Sequence, residues 1–190
     1  MFPELTRDDV FRIETARLWL RWPRAADVPA FARLAADADV AKMTACLQPP
    51  FGVGEAQDFI IGARRVNVAG EGTVLAVAPR DDPAAFLGIV GVQAAGPDSL
   101  ALGYWLGRPY WGQGLMCEAM SAVLDMAFVL SKATGIETPA PPPGSAAATV
   151  LARAGFPPAG ADGRCCIGRR DWLGLRAGAA DRIARPQTAA

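Results

Sequence analysis

The sequence contains no histidine, so it lacks the side chain that most often serves as a general base or metal ligand near neutral pH. It has only two tyrosines, Tyr104 and Tyr110, which leaves few phenolic groups for proton transfer. No C-x-x-C pair occurs among the four cysteines, Cys46, Cys117, Cys165 and Cys166. We therefore expect no zinc site and no disulfide framework, but small buried thiols in a reducing compartment.

Net charge and long apolar runs are also absent. Nineteen Lys and Arg residues balance nineteen Asp and Glu residues, which gives no electrostatic reason to expect nucleic acid or an anionic membrane as a partner. The apolar run at 116–130 is interrupted by Glu118 and Asp125 and is too short to span a bilayer. The first nine residues resemble no signal peptide, and we expect a cytoplasmic protein.

What the chain does contain is enough apolar sequence for one packed core. Its 190 residues are 52% apolar and 20% charged, a composition typical of a single globular domain. We predict one domain over 1–190 whose Ala-, Arg- and Pro-rich tail at 178–190 is frayed.

Hydrophobic periodicity predicts a mixed α+β fold. Short turns join neighbouring strands, which indicates an antiparallel hairpin or meander. Gly103, inside a strand, predicts a bulge or a close backbone approach, and the prolines after Thr138 predict a strand that is short or unpaired on one side. Asp27 and Ser145 are predicted helix caps. The strands are expected near 17–22, 73–78, 86–93, 100–106, 136–140 and 164–170, and the helices near 28–35, 55–68, 113–130 and 146–154.

The segment at 100–119 places a strand, a glycine-containing turn and a helix in direct succession. The N-terminus of a helix carries unpaired amides and a partial positive charge, and Gly112 and Gly114 allow an anion to approach the backbone. A Walker A loop is excluded because Leu115 follows the second glycine, and a Rossmann fingerprint because position 117 is cysteine. The pattern therefore predicts a diphosphate site at the head of one helix.

Several motifs in the right order resemble the GNAT N-acetyltransferases, closest to the branch of ribosomal-protein alanine acetyltransferases. The resemblance covers about 13–173. The motifs are TARLWLR (15–21), EAQDFI (55–60), FLGIVGV (86–92), YWL (104–106), YWGQGLMCEA (110–119), VLARAGF (150–156) and DW (171–172), the last resembling a closing strand.

This resemblance implies a mostly antiparallel central sheet, flanked by helices, whose fourth and fifth strands splay apart. It implies acetyl-CoA as co-substrate, with the backbone of Trp105 and Leu106 pairing with the pantetheine arm. It further implies that Phe156 borders the coenzyme. The residues that would hold the pyrophosphate through backbone N–H groups are Trp111, Gly112, Gln113, Gly114, Leu115 and Met116.

The chain departs from the family pattern at its catalytic positions. Many relatives have glutamate where Ala101 stands, asparagine at Gly144 and serine at Ala147, and many use a tyrosine acid after this point. The remaining candidates for acid–base roles are Glu137, Glu118 and Tyr104, the last interpreted as core or substrate wall. Cys117 has no histidine to activate it, so direct transfer in a ternary complex is expected rather than an acyl-enzyme.

Three functions remain open from the sequence. The first is acetyl transfer to a small-molecule amine or a protein N-terminus, by a monomer or homodimer, with the acceptor held by the first two helices and the loop at 48–54. The second is a non-catalytic acyl-CoA-binding or sensor protein of the same fold. The third is a nucleotide-diphosphate binder, for which ATP would compete without any dependence on a thiol.

Overall fold

A seven-stranded sheet, with the strands in chain order from β1 to β7, forms the centre of the computed structural model, which describes residues 2–44, 47 and 50–184. Short 3₁₀ turns lie at Glu4–Thr6, Ala25–Asp27 and Arg108–Tyr110. The strands are β1 Arg12–Glu14, β2 Leu18–Arg21, β3 Gly72–Pro79, β4 Gly88–Ala94, β5 Ser99–Leu106, β6 Gly135–Pro139 and β7 Arg164–Gly168. The helices are α1 Val28–Ala35, α2 Ala38–Lys42, α3 Val53–Ala69, α4 Leu115–Leu130, α5 Ala146–Arg153 and α6 Arg169–Ala184.

The sheet opens between β5 and β6. These strands are parallel and pair at three positions only, ending at Ala101 opposite Glu137, whereas every other neighbouring pair is antiparallel. Beyond this point β6 pairs with β7 alone, and residues 102–106 of β5 have β4 as their only strand neighbour in the described sheet. The predicted splay is confirmed; it separates the fifth and sixth strands because the unpredicted strand β1 precedes the rest.

The helices cover the two faces of the sheet with separate apolar clusters. On one face α4 packs on the central strands through fully buried side chains such as Met120 and Leu124. On the other face α1 and α3 enclose an aromatic group in which Phe31 stacks on Phe86 at 5.3 Å between ring centroids and packs against Trp105 at 5.0 Å. None of the described helices is long and apolar enough to span a membrane.

A buried ion pair corrects one detail of the predicted β2–α1 region. Arg21 alternates with the apolar residues of β2, and its side chain is 3% exposed and contacts Asp27 at 2.7 Å. Asp27 does not cap α1, because its carboxylate accepts from Arg21 and from the Arg24 amide at 2.7 Å. Burial of an arginine requires such a partner, and that partner lies too far along the chain for strand periodicity to reveal it.

Two further local predictions are wrong. The register of β4 with β5 is continuous through Gly103, so there is no bulge, and no atom lies within 4 Å of a Cβ placed there. Asp171 and Trp172 lie in α6 rather than in a closing strand, since β7 already completes the sheet. Helix α6 extends past residue 178 to Ala184, and fraying of this tail stays a prediction.

The described cysteines differ in exposure. Cys165 is buried as predicted and Cys117 is partly buried, but Cys166 is exposed because β7 is the sheet's edge strand and α1 and α3 do not cover its outer face. All three are free thiols. Cys46 and Gln48 lie outside the described residues.

Candidate coenzyme and active site

A cleft of about 340 Å³ lies at the opening between β5 and β6. The C-terminal half of β5 and the turn into α4 form one wall, and α5 forms the opposite wall. Helix α2 and the residues after it close one side. The described residues that line it are Val40, Met43, Thr44, Tyr104, Trp105, Leu106, Tyr110, Trp111, Gly112, Gly114, Leu115, Met116, Cys117, Ala146, Ala147, Thr149, Val150 and Arg153.

The turn before α4 depends on two glycines. Gly112 and Gly114 both have φ of 74°, a left-handed conformation that costs other residues about 1–2 kcal/mol. Gly114 is the N-cap, so α4 begins at Leu115 rather than at the predicted Gln113. The indole N–H of Trp111 donates to the Leu106 carbonyl at 2.7 Å and ties the turn back to β5.

The backbone amides of this turn point to an anion. Within the described part of the chain, the amides of residues 112–117 donate to no protein acceptor, and the first internal bond of the helix runs from the Glu118 amide to the Gly114 carbonyl at 3.1 Å. Helix α4 has 16 residues, so its dipole adds a partial positive charge at the same mouth. Amides and dipole together favour a diphosphate here.

Arg17 and Glu118 hold this helix mouth against β2. Glu118 accepts from the Thr15 hydroxyl at 2.6 Å, the Arg17 amide at 2.8 Å and the Arg17 Nε at 2.7 Å. Arg17 also donates to the Gln113 carbonyl at 3.0 Å. Partial burial raises the pKa of Glu118, but the hydrogen bonds from Thr15 and Arg17 outweigh it and the pKa is lowered overall. Glu118 is therefore a charged residue that joins the start of α4 to Thr15 and Arg17. It does not line the cleft, where a base would have to lie.

The comparisons with known proteins decide the family. A family model described as an acetyltransferase (GNAT) domain matches residues 17–157. This chain belongs to the GNAT acetyltransferases. It is thus an acyltransferase, and acetyl-CoA is the co-substrate of this family. No curated protein sequence matches the chain.

Solved structures with the same GNAT fold include coenzyme complexes. RimJ from Mycobacterium smegmatis, in complex with CoA-disulfide, is 21% identical with a TM-score of 0.69 and covers 85% of this chain and 89% of its own. RimL, a ribosomal L7/L12 α-N-protein acetyltransferase in complex with disulfide-linked coenzyme A, is 18% identical with a TM-score of 0.72, covering 83% and 98%. The microcin C7 self-immunity acetyltransferase MccE, with acetyl-CoA and AMP, is 13% identical with a TM-score of 0.66, covering 81% and 93%.

The strand register decides which backbone groups of this GNAT chain face the opening. Gly107 donates to Leu87 across the β4–β5 pair, and pairing alternates along an antiparallel ladder. The N–H and C=O of Trp105 therefore point to β4, while those of Tyr104 and Leu106 point into the opening. The Leu106 carbonyl is already bonded to Trp111. Pairing of the coenzyme arm with Leu106 stays a prediction. The backbone groups of Trp105 face β4 and are therefore not available to the arm.

Tyr104 is the acid–base candidate that the fold brings into the cleft. Its hydroxyl donates to the Ala147 carbonyl at 3.4 Å, a long and weak bond. Burial raises the pKa of Tyr104 well above its usual value, with Cys165 and Cys117 adding to the effect. The shift favours the protonated phenol, which is the form that a general acid needs before the reaction.

Most predicted coenzyme-site residues line the cleft, but Gln113, Glu118, Glu137 and Phe156 do not. Glu137 pairs with Arg164 at 2.8 Å. Gln113 directs its side-chain amide to the Pro109 carbonyl at 3.1 Å, and Phe156 is buried in the α4 cluster. The Ser145 hydroxyl caps α5, as predicted, by accepting from the Ala148 amide at 3.2 Å.

Two groups of residues that line the cleft were not predicted from the sequence. Met43 and Thr44 follow α2, a five-residue helix too short for a periodic pattern. On α5, Ala146, Val150 and Arg153 lie at spacings of four and three, which place them on one helical face. That spacing is visible in the sequence and could have identified the wall.

Proposed function

We propose that this GNAT acetyltransferase moves the acetyl group of acetyl-CoA directly onto the α-amino group of a protein N-terminus. The observation that carries the proposal is the row of unbonded amides at residues 112–117, which opens into the gap between β5 and β6. A diphosphate at that mouth leaves the gap as the path for the thiol-bearing arm. The edge of β5 at Tyr104 and Leu106 would then pair with the arm as an added strand does.

Transfer requires one bond to form and one to break. The amine nitrogen attacks the thioester carbonyl carbon, the C–S bond breaks, and its electron pair leaves on sulfur. We propose that the Tyr104 hydroxyl donates its proton to this thiolate and regains one from water. The nitrogen releases its extra proton to water. The position of Tyr104 in the cleft, with its hydroxyl directed to the α5 wall, supports this role.

The chemistry of the cleft favours an acceptor that is already neutral. No carboxylate lies among the described lining residues, and the chain has no histidine, so the side chains that most often deprotonate an ammonium are missing from the described lining. A terminal α-amine has a pKa of about 8, against about 10.4 for a lysine side chain, and so is far more often neutral near pH 8. RimL, of similar structure, is itself an α-N-protein acetyltransferase, which agrees with this choice.

The space beside Gly103 supports access for a chain end. Gly103 is exposed on the face opposite α4, and a Cβ there would meet no protein atom within 4 Å.

A small-molecule amine of low pKa would also suit a cleft that favours a neutral acceptor. A cytoplasmic location and a monomeric or dimeric state stay predictions.

A second candidate is a non-catalytic acyl-CoA sensor of the same fold. Alanine at positions 101 and 147 and glycine at 144, where many relatives have functional side chains, motivate it. Such a protein would bind acetyl-CoA without releasing free thiol in the presence of any amine.

The test combines calorimetry with a thiol-release assay. We expect acetyl-CoA to bind. Peptides that contain one lysine and have a free N-terminal alanine or serine should release CoA faster than N-formylated copies of the same peptides. Binding without release from any peptide or amine would support the sensor. Equal rates with the formylated lysine peptides would overturn the preference for an α-amine.

A further inference from the structure

Arg153 is the feature of the cleft that the function described so far leaves unused. It lies at the C-terminal end of α5, it is exposed, and it is the one charged residue among the described residues that line the cleft. No carboxylate of the described chain lies within salt-bridge distance of its guanidinium. The other lining residues are apolar or carry only hydroxyl and backbone polar groups.

Arg153 and the residue of α5 that contacts Tyr104 lie toward opposite ends of this helix. The start of the same helix contacts Tyr104 through the Ala147 carbonyl, beside the proposed thiol position. Arg153 follows Ala147 by six residues, which is a rise of about 9 Å along the helix. Arg153 is thus well separated along α5 from the residue that contacts Tyr104, and it remains part of the cleft lining.

The phosphates of coenzyme A divide between the two walls. The diphosphate is matched by the amides and the dipole of α4, which need no side-chain cation. The 3′-phosphate of the ribose carries about −1.5 to −2 charges, as phosphomonoesters do near pH 7. An arginine fork matches a phosphate through two parallel hydrogen bonds, and Arg153 is the available group.

We propose that Arg153 binds the 3′-phosphate of coenzyme A and makes the site prefer coenzyme A over 3′-dephospho-coenzyme A. The proposal rests on the proposed function, because it assumes that the coenzyme occupies this cleft. It adds a residue that selects the co-substrate through a group remote from the thioester.

The experiment is a binding cycle by titration calorimetry with two ligands, CoA and 3′-dephospho-CoA. It compares the wild-type protein, Arg153→Gln, Arg153→Lys and the control Arg65→Gln. Arg65 is an exposed arginine of α3 that does not line the cleft. We expect the wild type and the control to prefer CoA about tenfold, which corresponds to one charge-assisted contact. Arg153→Gln should lose that preference with an unchanged Kd for dephospho-CoA, and Arg153→Lys should retain part of it.

The outcomes separate this proposal from the function on which it rests. The assignment to the 3′-phosphate is wrong if Arg153→Gln binds CoA as tightly as the wild type, or if its Kd rises by the same factor for both ligands. Coenzyme binding itself stands in either case. If the wild type binds neither ligand, the proposed function fails as well. Equal melting temperatures of Arg153→Gln and wild type exclude misfolding as a cause of weaker binding.

Discussion

At the scale of single residues, Tyr104 is the side chain on which the proposed chemistry depends. Replacing it by phenylalanine removes the hydroxyl and keeps the ring that packs against the apolar cluster. General acid catalysis contributes about 10²–10⁴-fold, so we expect Tyr104→Phe to lower kcat by about 10²-fold with little change in the KM for acetyl-CoA. Steady-state kinetics checks this. The control is Tyr110→Phe, and an unchanged kcat for Tyr104→Phe would exclude the phenol as proton donor.

Glu118 gives a residue-scale prediction about pH. Its pKa in the folded chain lies below the ordinary value, so its contribution to stability is present above about pH 4.3 and is lost as pH falls through the lowered pKa. We expect Glu118→Gln to melt at a lower temperature than the wild type at neutral pH. The difference should shrink as the pH is lowered below about 4.3. A difference in melting temperature that stays constant over this range would contradict a stabilising role for the hydrogen bonds from Thr15 and Arg17 to Glu118.

The sequence also shows its limits at this scale. The need for glycine at positions 112 and 114 could be predicted because a tight turn into a helix requires unusual dihedral angles. Which backbone groups of β5 face the opening could not, because that depends on the parity of pairing with β4. The paired state of Glu118 was equally hidden, because its partners lie about one hundred residues earlier in the chain.

At the scale of elements, the turn and the first amides of α4 form one unit. Gly114→Ala and Gly114→Val force a left-handed residue at the N-cap, at a cost of about 1–2 kcal/mol. They also place a side chain where the diphosphate would approach. We expect both to weaken acetyl-CoA binding by tenfold or more, valine the more strongly, as measured by calorimetry. Gly54→Ala, in α3 and with open space around it, serves as the control and should bind normally.

The region around β6 and α6 shows which secondary-structure elements could be predicted from the sequence and which could not. The prolines after Thr138 indicated a short strand, and the structure ends β6 at Pro139 after three pairs with β5. A closing strand was predicted at Asp171 and Trp172, where the structure has α6. The prediction failed because this short motif is compatible with a strand or a helix. In the helix, the Trp172 indole donates to Asp125 at 2.9 Å, a contact that joins α6 to α4.

At the scale of the whole molecule, one buried ion pair joins three parts of the fold. Arg21 of β2 contacts Asp27 before α1 and donates to the Pro83 carbonyl at 2.8 Å in the segment before β4. Asp27→Ala leaves the guanidinium buried and unpaired, so we expect a loss of about 3–5 kcal/mol in the free energy of unfolding. Urea denaturation measures it.

The double variant Arg21→Met with Asp27→Leu is the matched control for this pair. It replaces both charges by apolar side chains of similar volume and should lose less stability than Asp27→Ala alone. A double variant that is less stable than the single one would show that Arg21 matters mainly through its carbonyl contacts.

The central claim is that the free amides at residues 112–117 bind the diphosphate of acetyl-CoA, and a crystal structure of the complex tests it most directly. The account predicts density for the diphosphate within about 3.2 Å of several of these amide nitrogens, with the arm between β5 and β6. Coenzyme bound elsewhere on the molecule, or a helix mouth that stays empty at saturating acetyl-CoA, would contradict it.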